Sequence, residues 1–197
     1  RRKTEFLATL AHELRNPLAP LAQALQMLRL EPGAHSVRRC CDIMERQLRH
    51  LVRLVDELLD VARIARGKIA LRPSTVALKD VVQCALDLSA PLVRQHRHAL
   101  SVKLPAQPVH LHADATRLAQ VLGNLLNNAA KYTPEGGRIA LDAWSRGDSV
   151  AISVRDNGVG LPPEDLPHIF DLFTQVGRSL DMAQGGLGIG LALSRQL

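Results

Sequence analysis

A histidine near the start of the chain is the first residue whose position could serve chemistry. In FLATLAHELRNPLAPL the leucines recur at steps of three and four, which is the spacing of an apolar helix face. His12 lies midway between Leu10 and Leu14, and on a helix it is about 200° away from each of them. The pattern therefore predicts that its imidazole projects from the opposite, polar face. An acid follows it directly, and Pro17 comes five residues later.

A second candidate is a helix face that carries two amides and an ammonium group. In NLLNNAAKY, Asn124, Asn128 and Lys131 fall at i, i+4 and i+7. Amide oxygens are hard, neutral ligands that suit Mg²⁺, and Mg²⁺ usually keeps waters and shares substrate phosphates. A lysine one turn further on can meet phosphate oxygens as a point charge. Taken alone, the motif fits a solvated polar helix face better than a metal site.

Two glycine-containing motifs follow in the second half of the chain. DNGVG comes directly after the strand-like AISVR, so Asp156 lies at a strand end, and Gly158 and Gly160 form a tight turn that a ligand can approach. In GGLGIGLALSRQL, glycines precede an apolar helix, whose first N–H groups and positive dipole end can meet an anion. Each motif alone is weak evidence, but three such elements in this order are not.

Two helices must position the histidine. After Leu28, Pro32 and Gly33 break the first helix, and Ser36 is the predicted N-cap of the second. From Val37 onward, apolar residues recur at alternating steps of four and three, a heptad pattern held for four repeats. The resulting hairpin leaves one broad apolar side uncovered. We expect dimerisation into a four-helix bundle, and packing against the rest of the same chain is the alternative.

The sequence pattern changes after Gly67, where short predicted strands alternate with predicted amphipathic helices. DATRLAQVLGNLLNNAAKY is a predicted helix with Asp114 at its N-cap, and GGRIALDAWSRGDSVAISVRDNG is a predicted β-hairpin that turns at residues 146–148. Strands and helices in this order predict an α+β layer with helices on one face of a sheet. The sequence therefore predicts two domains, residues 1–67 and 68–197.

Composition excludes several other classes of protein. Of the 197 residues 46% are hydrophobic and 22% charged, and no apolar run approaches the roughly 18 residues of a membrane span. The start is not a signal peptide, and the three cysteines lack metal-ligand spacing, which is typical of reduced cytosolic thiols. A net charge of +6 permits an acidic partner, but dispersed basic residues and 3% aromatics argue against nucleic-acid binding. We expect a cytoplasmic segment without membrane contact.

Taken together, the motifs resemble those of a known family. The whole chain is similar to the transmitter core of two-component sensor histidine kinases. The phosphoacceptor box of that family resembles FLATLAHELRNPLAPL, and its asparagine box resembles QVLGNLLNNAAKYTPEGG. Its first glycine box, phenylalanine box and second glycine box resemble DNGVGLP, IFDLFTQV and GGLGIGLAL, in the same order and with similar spacing.

The resemblance implies a role for each polar residue around the histidine. His12 is the implied nucleophile that attacks the γ-phosphate of ATP, which requires an exposed ring. Glu13 is implied to orient or deprotonate that ring. Asn16, one turn further on in the family's HExxN pattern, is implied to align a water that hydrolyses a phosphoryl group on a partner protein. Pro17 lacks an N–H, so the helix can bend beside His12.

The resemblance also implies a site for ATP and Mg²⁺. Asn128 is the implied Mg²⁺ ligand, with Asn124 assisting and Lys131 on the phosphates. Tyr132 would stack near the adenine, and Asp156 would accept a hydrogen bond from its amino group. The remaining implied contacts are with the pocket glycines Gly158 and Gly160, with the hinge glycines Gly186, Gly188 and Gly190 of a lid, and with Arg178 in that lid as a candidate for the γ-phosphate.

The implied fold and partners follow from the same likeness. The fold is an α-helical hairpin that forms a dimeric four-helix bundle, followed by an α+β sandwich ATP-binding domain that ends inside its last helix and is thus C-terminally incomplete. The implied partners are a second copy of the chain, which completes a homodimer, and the receiver domain of a response regulator. The alternatives are a dimeric pseudokinase scaffold and an ATPase of the same nucleotide-binding fold without phosphotransfer.

Overall fold

The protein is described by a computed structural model that covers residues 2–30, 33–65, 70–174 and 187–197. The chain divides into two compact units. The first comprises Arg1–Lys68 with Leu172–Ile189, and the second comprises Ile69–Asp171 with Gly190–Leu197.

The first unit contains a hairpin of two long helices, α1 (Arg2–Leu30) and α2 (Ala34–Ala65), which pack against each other. Helix α1 continues through both Pro17 and Pro20. Each proline lacks the N–H that would bond to the carbonyl four residues earlier. The helix continues although these two hydrogen bonds are missing. The prediction of a helical hairpin is confirmed.

The start of α2 differs from the prediction. The N–H of Val37 donates to the carbonyl oxygen of Gly33 at 2.9 Å, and α2 begins at Ala34. Ser36 is therefore inside the helix, and its predicted role as N-cap is wrong. Gly33 supplies the first helical acceptor in its place. Gly33 thus directly precedes the first helical residue, and glycine is itself among the residues favoured at an N-cap.

The buried face of α1 is rotated relative to the predicted leucine face. Glu13, Pro17 and Ala24 are buried within the chain, whereas Leu18 and Leu25 are about half exposed. His12 is exposed, as predicted. Five apolar residues of α2 are exposed as well, namely Val37, Leu48, Val52, Val55 and Leu59. The hairpin thus buries one apolar surface between its own helices and leaves a second one uncovered.

The second unit is an α+β structure with two small sheets. Its helices and strands in chain order are β1 (Ser74–Ala77), α3 (Leu78–Gln95), β2 (Ala99–Lys103), β3 (His110–Ala113), α4 (Ala115–Tyr132), β4 (Arg138–Arg146), β5 (Ser149–Asp156) and α5 (Gly190–Gln196). Strand β1 pairs with β3 in an antiparallel manner, and β2 pairs in parallel with β4, which forms an antiparallel hairpin with β5. The hairpin turns between Arg146 and Ser149, with Gly147 at φ +60°, which confirms the predicted turn.

Helices α3 and α4 cover one face of the three-stranded sheet, as the α+β prediction requires. Side chains alternate along β4, so that every second residue from Ile139 to Ala143 is buried while its neighbours face away. Both helices are amphipathic and place their apolar faces against these residues. The most deeply buried members of this core are Val82, Ala85, Leu126, Ala130, Ile139 and Leu141.

Helix α3 ends in a Schellman motif built on an arginine. The N–H of Arg97 donates to the carbonyl of Arg94 at 3.1 Å, and the N–H of His98 donates to the carbonyl of Val93 at 3.0 Å. Arg97 has φ +54°, the left-handed conformation that glycine adopts most readily. This end of α3 fixes the backbone of His98 as the chain enters β2.

Asp114 caps the first turn of α4, as predicted. Its Oδ1 accepts from the N–H of Arg117 at 3.2 Å, and its Oδ2 accepts from the N–H of Arg72 at 3.0 Å. The hydrogen bonds from the Arg72 and Arg117 backbones lower the pKa of the Asp114 carboxyl below its ordinary value of 3.8. One carboxylate thus joins the start of α4 to the segment that precedes β1.

We predict that Asp114→Asn lowers the melting temperature at neutral pH, and that the difference from the unmutated chain shrinks as the pH falls below 3.8. A carboxyl with a lowered pKa binds fewer protons in the folded state than in the unfolded one. Its contribution to the free energy of unfolding is therefore present above the unfolded pKa and is lost as the pH falls through the folded pKa. Thermal unfolding followed by Trp144 fluorescence at several pH values measures this, and a pH-independent difference would contradict it.

Candidate functional site

The polar face of α4 contacts the second glycine motif. Asn124 and Asn128 are partly buried on this helix, and the Nδ2 of Asn124 donates to the carbonyl of Gly190 at 3.2 Å. The hydroxyl of Ser194 donates to the same carbonyl at 2.8 Å. A Cβ at position 190 would lie 3.4 Å from the Asn124 amide carbon, so the absence of a side chain allows this approach. The structure thus brings together two motifs that lie 66 residues apart in sequence.

The first glycine motif packs against the last turn of the same helix. The N–H of Val159 donates to the carbonyl of Tyr132 at 3.2 Å. A Cβ at Gly158 would overlap the Tyr132 carbonyl oxygen and would lie 2.7 Å from the Oδ1 of Asp156. That Oδ1 accepts from the N–H of Gly158 at 2.8 Å. Only glycine fits at position 158, because both the helix end and the Asp156 carboxylate approach its backbone.

Strand register places Asp156 on the same sheet face as the helices. Asp156 is opposite Ile139, which is buried in the core, and opposite residues in a strand pair share a face. Its neighbour Arg155 is on the other face, where its guanidinium pairs with Asp142 at 3.0 Å. Asp156 is nevertheless exposed, since it lies at the end of β5, beyond the cover of the core. Its carboxylate is accessible to a ligand on the helical side.

Lys131 supplies positive charge at this end of α4. Its Nζ lies 5.1 Å from the ring centroid of Tyr132, which is within cation–π range. A cation in the last turn of a helix also interacts favourably with the negative end of the helix dipole. Lys131 is the residue predicted to bind the phosphates, and Tyr132 is the one predicted to stack near the adenine. In the structure these two side chains are in contact with each other.

Asn157 is a positioning residue that the sequence prediction missed. Its Oδ1 accepts from the N–H of Arg138 at 2.6 Å, and its own N–H donates to the Arg138 carbonyl at 3.2 Å. These bonds tie the first glycine motif to the start of β4. The local signal of a side-chain-capped turn belongs to Asp156, which bonds to the N–H two residues on, whereas the contact of Asn157 with Arg138 joins residues 19 apart and has no local signal.

The other predicted glycines have separate settings. Gly160 has φ +69° with open space around its α-carbon. Gly188 has φ +66°, and its carbonyl accepts from the N–H of Phe173 at 3.1 Å. A Cβ at position 188 would lie 2.7 Å from the Thr174 carbonyl oxygen. Arg178 and Gly186 lie outside the described residues.

The predicted phosphoacceptor residues lie in the first unit, on α1. His12 and Asn16 are exposed one turn apart, which matches the predicted polar face. Glu13 points into the hairpin and is only 9% exposed. The carboxylate and the adjacent imidazole thus lie on different faces of α1.

The described part of the chain contains neither a cluster of the usual metal-binding side chains nor a helix suited to a membrane. No three His, Cys, Asp or Glu side chains there lie close enough together to hold a metal ion. The predicted Mg²⁺ site is of another kind, since it relies on an amide oxygen and on nucleotide phosphates. Among the same residues, no helix has the length and apolar character needed to cross a membrane.

The chain thus combines a helical hairpin that exposes His12 with an α+β unit in which both glycine motifs contact α4. Residues 2–67 match the His Kinase A (phospho-acceptor) domain family. Residues 113–197 match the family described as Histidine kinase-, DNA gyrase B-, and HSP90-like ATPase. The chain therefore contains these two domains in the order of a sensor histidine kinase transmitter core, which confirms the resemblance inferred from the motifs.

Known proteins agree with this assignment. The chain is 34% identical over 196 residues to sensor histidine kinase RcsC of Escherichia coli strain K12. The aligned region covers 99% of this chain and 20% of RcsC. It therefore spans about a fifth of that relative's length. Full-length ShkA in complex with AMPPNP is 30% identical, with a TM-score of 0.62 over 96% of this chain and 39% of ShkA. Histidine kinase ThkA in complex with response regulator protein TrrA shares the fold, with 24% identity and a TM-score of 0.56 over 91% of this chain and 55% of ThkA.

We predict that Gly158→Ala destabilises the second unit by about 1–3 kcal/mol, the usual cost of forcing atoms into a packed site. Gly160→Ala is the matched control, because it has open space and pays only for its positive φ, about 1 kcal/mol. Urea unfolding followed by Trp144 fluorescence measures both variants. Equal losses would show that the contact with the Tyr132 carbonyl does not constrain position 158.

Proposed function

We propose that the chain is the catalytic core of a protein-histidine kinase that transfers the γ-phosphoryl group of ATP to His12. A ring nitrogen of His12 attacks the γ-phosphorus, the N–P bond forms, the bond to the β-phosphate oxygen breaks, and ADP leaves. The observation that carries this proposal is the contact of both glycine motifs with one helix, α4, next to its amides and Lys131. Phosphoryl transfer depends mainly on positioning and charge neutralisation, and this arrangement can provide both.

The nucleotide site would be assembled on the last two turns of α4. Asn128 would offer its amide oxygen to Mg²⁺, with Asn124 beside it, and Lys131 would meet the phosphates. The fit rests on the donor set, because a neutral amide oxygen leaves most of the coordination to phosphates and waters, as Mg²⁺ prefers. Bound Mg²⁺ would neutralise phosphate charge.

The adenine would bind at the other end of this surface. Tyr132 is partly buried there, and Asp156 is accessible on the helical face of the sheet. A carboxylate can only accept, so it would select a base with an amino group at that point. Gly158 and Gly160 would line the pocket, and Gly186, Gly188 and Gly190 would act as the lid hinge with Arg178 near the γ-phosphate.

The hairpin would carry the phosphoryl group. Glu13 would orient or deprotonate the His12 ring in a rotamer that turns its carboxylate out of the hairpin, because adjacent residues of a helix do not face each other. Asn16 would align a water for dephosphorylation of a partner. Pro17 and Pro20 remove the backbone donors that would bond to the Glu13 and Asn16 carbonyls, so the helix has a hinge at the phosphoacceptor.

The partners in this proposal are a second copy of the chain and a receiver domain. The uncovered apolar residues of both hairpin helices, including Leu18 and Leu25 on α1, supply the surface for a homodimeric four-helix bundle. ThkA was solved with a response regulator bound, and we propose that an aspartate of such a regulator accepts the phosphoryl group from His12.

We also propose that the chain divides into two domains, residues 1–67 and 68–197. A cytoplasmic location is part of the same proposal, and it suits the three unpaired cysteine thiols.

We predict that His12→Gln abolishes labelling by γ-labelled ATP while nucleotide affinity stays within about twofold. Glutamine is a similarly polar side chain that cannot form a phosphoimidazole, and His12 lies on a different unit from the α4 residues proposed to bind the nucleotide. The label on the unmutated chain should be acid-labile and base-stable, as expected for phosphohistidine. Nucleotide binding without any label would favour the pseudokinase scaffold, and ATP hydrolysis without label would favour the simple ATPase.

We predict that Asn128→Ala weakens Mg·ATP binding about tenfold or more without changing the dimer. One amide ligand to the metal is lost, while the surface proposed for dimerisation lies on the hairpin. Isothermal calorimetry and sedimentation measure the two properties. Asn127→Ala is the matched control, since it removes the same amide one position away, about 100° around the helix. Unaltered affinity in Asn128→Ala would show that the ligand assignment is wrong.

A further inference from the structure

Helix α4 ends with a backbone carbonyl that the helix itself cannot satisfy. The last helical bond runs from the N–H of Thr133 to the carbonyl of Ala129 at 3.1 Å. The next carbonyl, that of Ala130, would accept from the N–H of residue 134, but this residue is Pro134 and has none. Thr133 is already extended, with φ −97° and ψ 131°, as expected before a proline. The Ala130 carbonyl is thus left without its helical donor.

The side chain of His98 provides the missing donor. Its Nε2 lies 2.9 Å from the Ala130 carbonyl oxygen, and the residue is 8% exposed. Because a carbonyl can only accept, the geometry assigns a proton to Nε2. The Nδ1 of His98 is buried with no hydrogen-bond partner among the described residues. The neutral imidazole therefore has one tautomer that satisfies this contact.

The position of His98 is fixed from a different helix. Its N–H closes the Schellman motif at the end of α3, so its backbone is held by the Val93 carbonyl. Its ring stacks on that of His96, with centroids 5.6 Å apart and planes within 9°. The carbonyl of His96 in turn accepts from the N–H of Gly136 at 2.9 Å, just beyond Pro134. The end of α3 is therefore connected by side chain and backbone to the end of α4.

We propose that His98 is a positioning residue for the nucleotide site, replacing through its Nε2–H the backbone donor that Pro134 lacks. The turn that it holds contains Ala130, Lys131 and Tyr132, and the Tyr132 carbonyl is the acceptor for the Val159 N–H of the first glycine motif. Loss of the donor leaves a buried carbonyl unsatisfied, which favours opening of this turn. The part of the proposal that concerns nucleotide affinity rests on the proposed function, whereas the part that concerns the helix end does not.

Two substitutions of His98 distinguish the effect of losing the hydrogen-bond donor from the effect of losing the ring. His98→Gln keeps an N–H donor at a position close to Nε2, and His98→Leu keeps an apolar side chain without a donor. His112→Leu is the matched control, because it makes the same replacement at an exposed histidine of β3. All are made in the 197-residue chain.

Amide hydrogen exchange tests the helix end directly. We expect the N–H groups of Thr133 and Val159 to exchange about tenfold faster in His98→Leu, since loss of one buried hydrogen bond changes a local opening equilibrium by about that factor. In His98→Gln they should remain within about threefold of the unmutated chain. The N–H of Ala143, in the middle of the β4–β5 hairpin, should not change in either variant. Equal acceleration at all three amides would overturn the proposal, because it would indicate general destabilisation.

Nitrogen-15 NMR of the unmutated chain provides a test that needs no variant to fold. We expect the His98 ring to carry its proton on Nε2, with the Nδ1 resonance typical of an unprotonated nitrogen. A proton on Nδ1 alone would overturn the proposal, because Nε2 could not then donate to Ala130.

Nucleotide binding completes the test. We expect the affinity for Mg·ATP to fall about tenfold in His98→Leu and to be restored to within about threefold in His98→Gln. Loss of affinity in both variants would overturn the role of the donor. If the unmutated chain bound no Mg·ATP, the proposed function would fail, and the exchange and NMR results would still decide whether His98 holds the end of α4.

Discussion

The candidate site depends on one close approach between two stretches of backbone. Gly158 lies against the carbonyl of Tyr132, and the next residue donates its N–H to that same carbonyl. No side chain separates the end of β5 from the end of α4, so the spacing between the backbones of Asp156 and of the Lys131 turn does not depend on a side-chain rotamer. A binding surface assembled from a strand end and a helix end gains rigidity in this way, because backbone contacts tolerate little variation in distance.

Two side-chain amides add further constraints, one on α4 and one between the first glycine motif and β4. The carbonyl of Gly190 is bound by Asn124 from within the polar face, and Asn157 ties the first glycine motif to β4. Each of these side-chain amides is bonded to a backbone group. The polar face of α4 is therefore both a candidate ligand surface and part of the structure that holds the glycine motifs, and a substitution on it will affect binding and packing together.

Features set by residues close together in the sequence were predicted correctly in the second unit. The features that were missed depend on contacts between residues far apart in the sequence. The N-cap role of Asp114 and the turn at Gly147 are set by residues within a few positions of each other. The burial of Glu13 and Pro17 beside half-buried leucines depends on where α2 packs, which periodicity along α1 cannot reveal. Likewise, the bond of His98 to Ala130 joins residues 32 apart, and only the tertiary structure shows that Pro134 makes it necessary.

The parallel pairing of β2 with β4 has a consequence for the order in which this unit can form. The hairpin of β4 and β5 needs only its own turn, but β2 can join β4 only after the intervening β3 and α4 have been folded back across the sheet. Strand β2 emerges from the ribosome before its partner β4, so it has no partner strand until β4 has been made. Until then the neighbouring α3, whose end already fixes the entry to β2, is the element that can hold it in place.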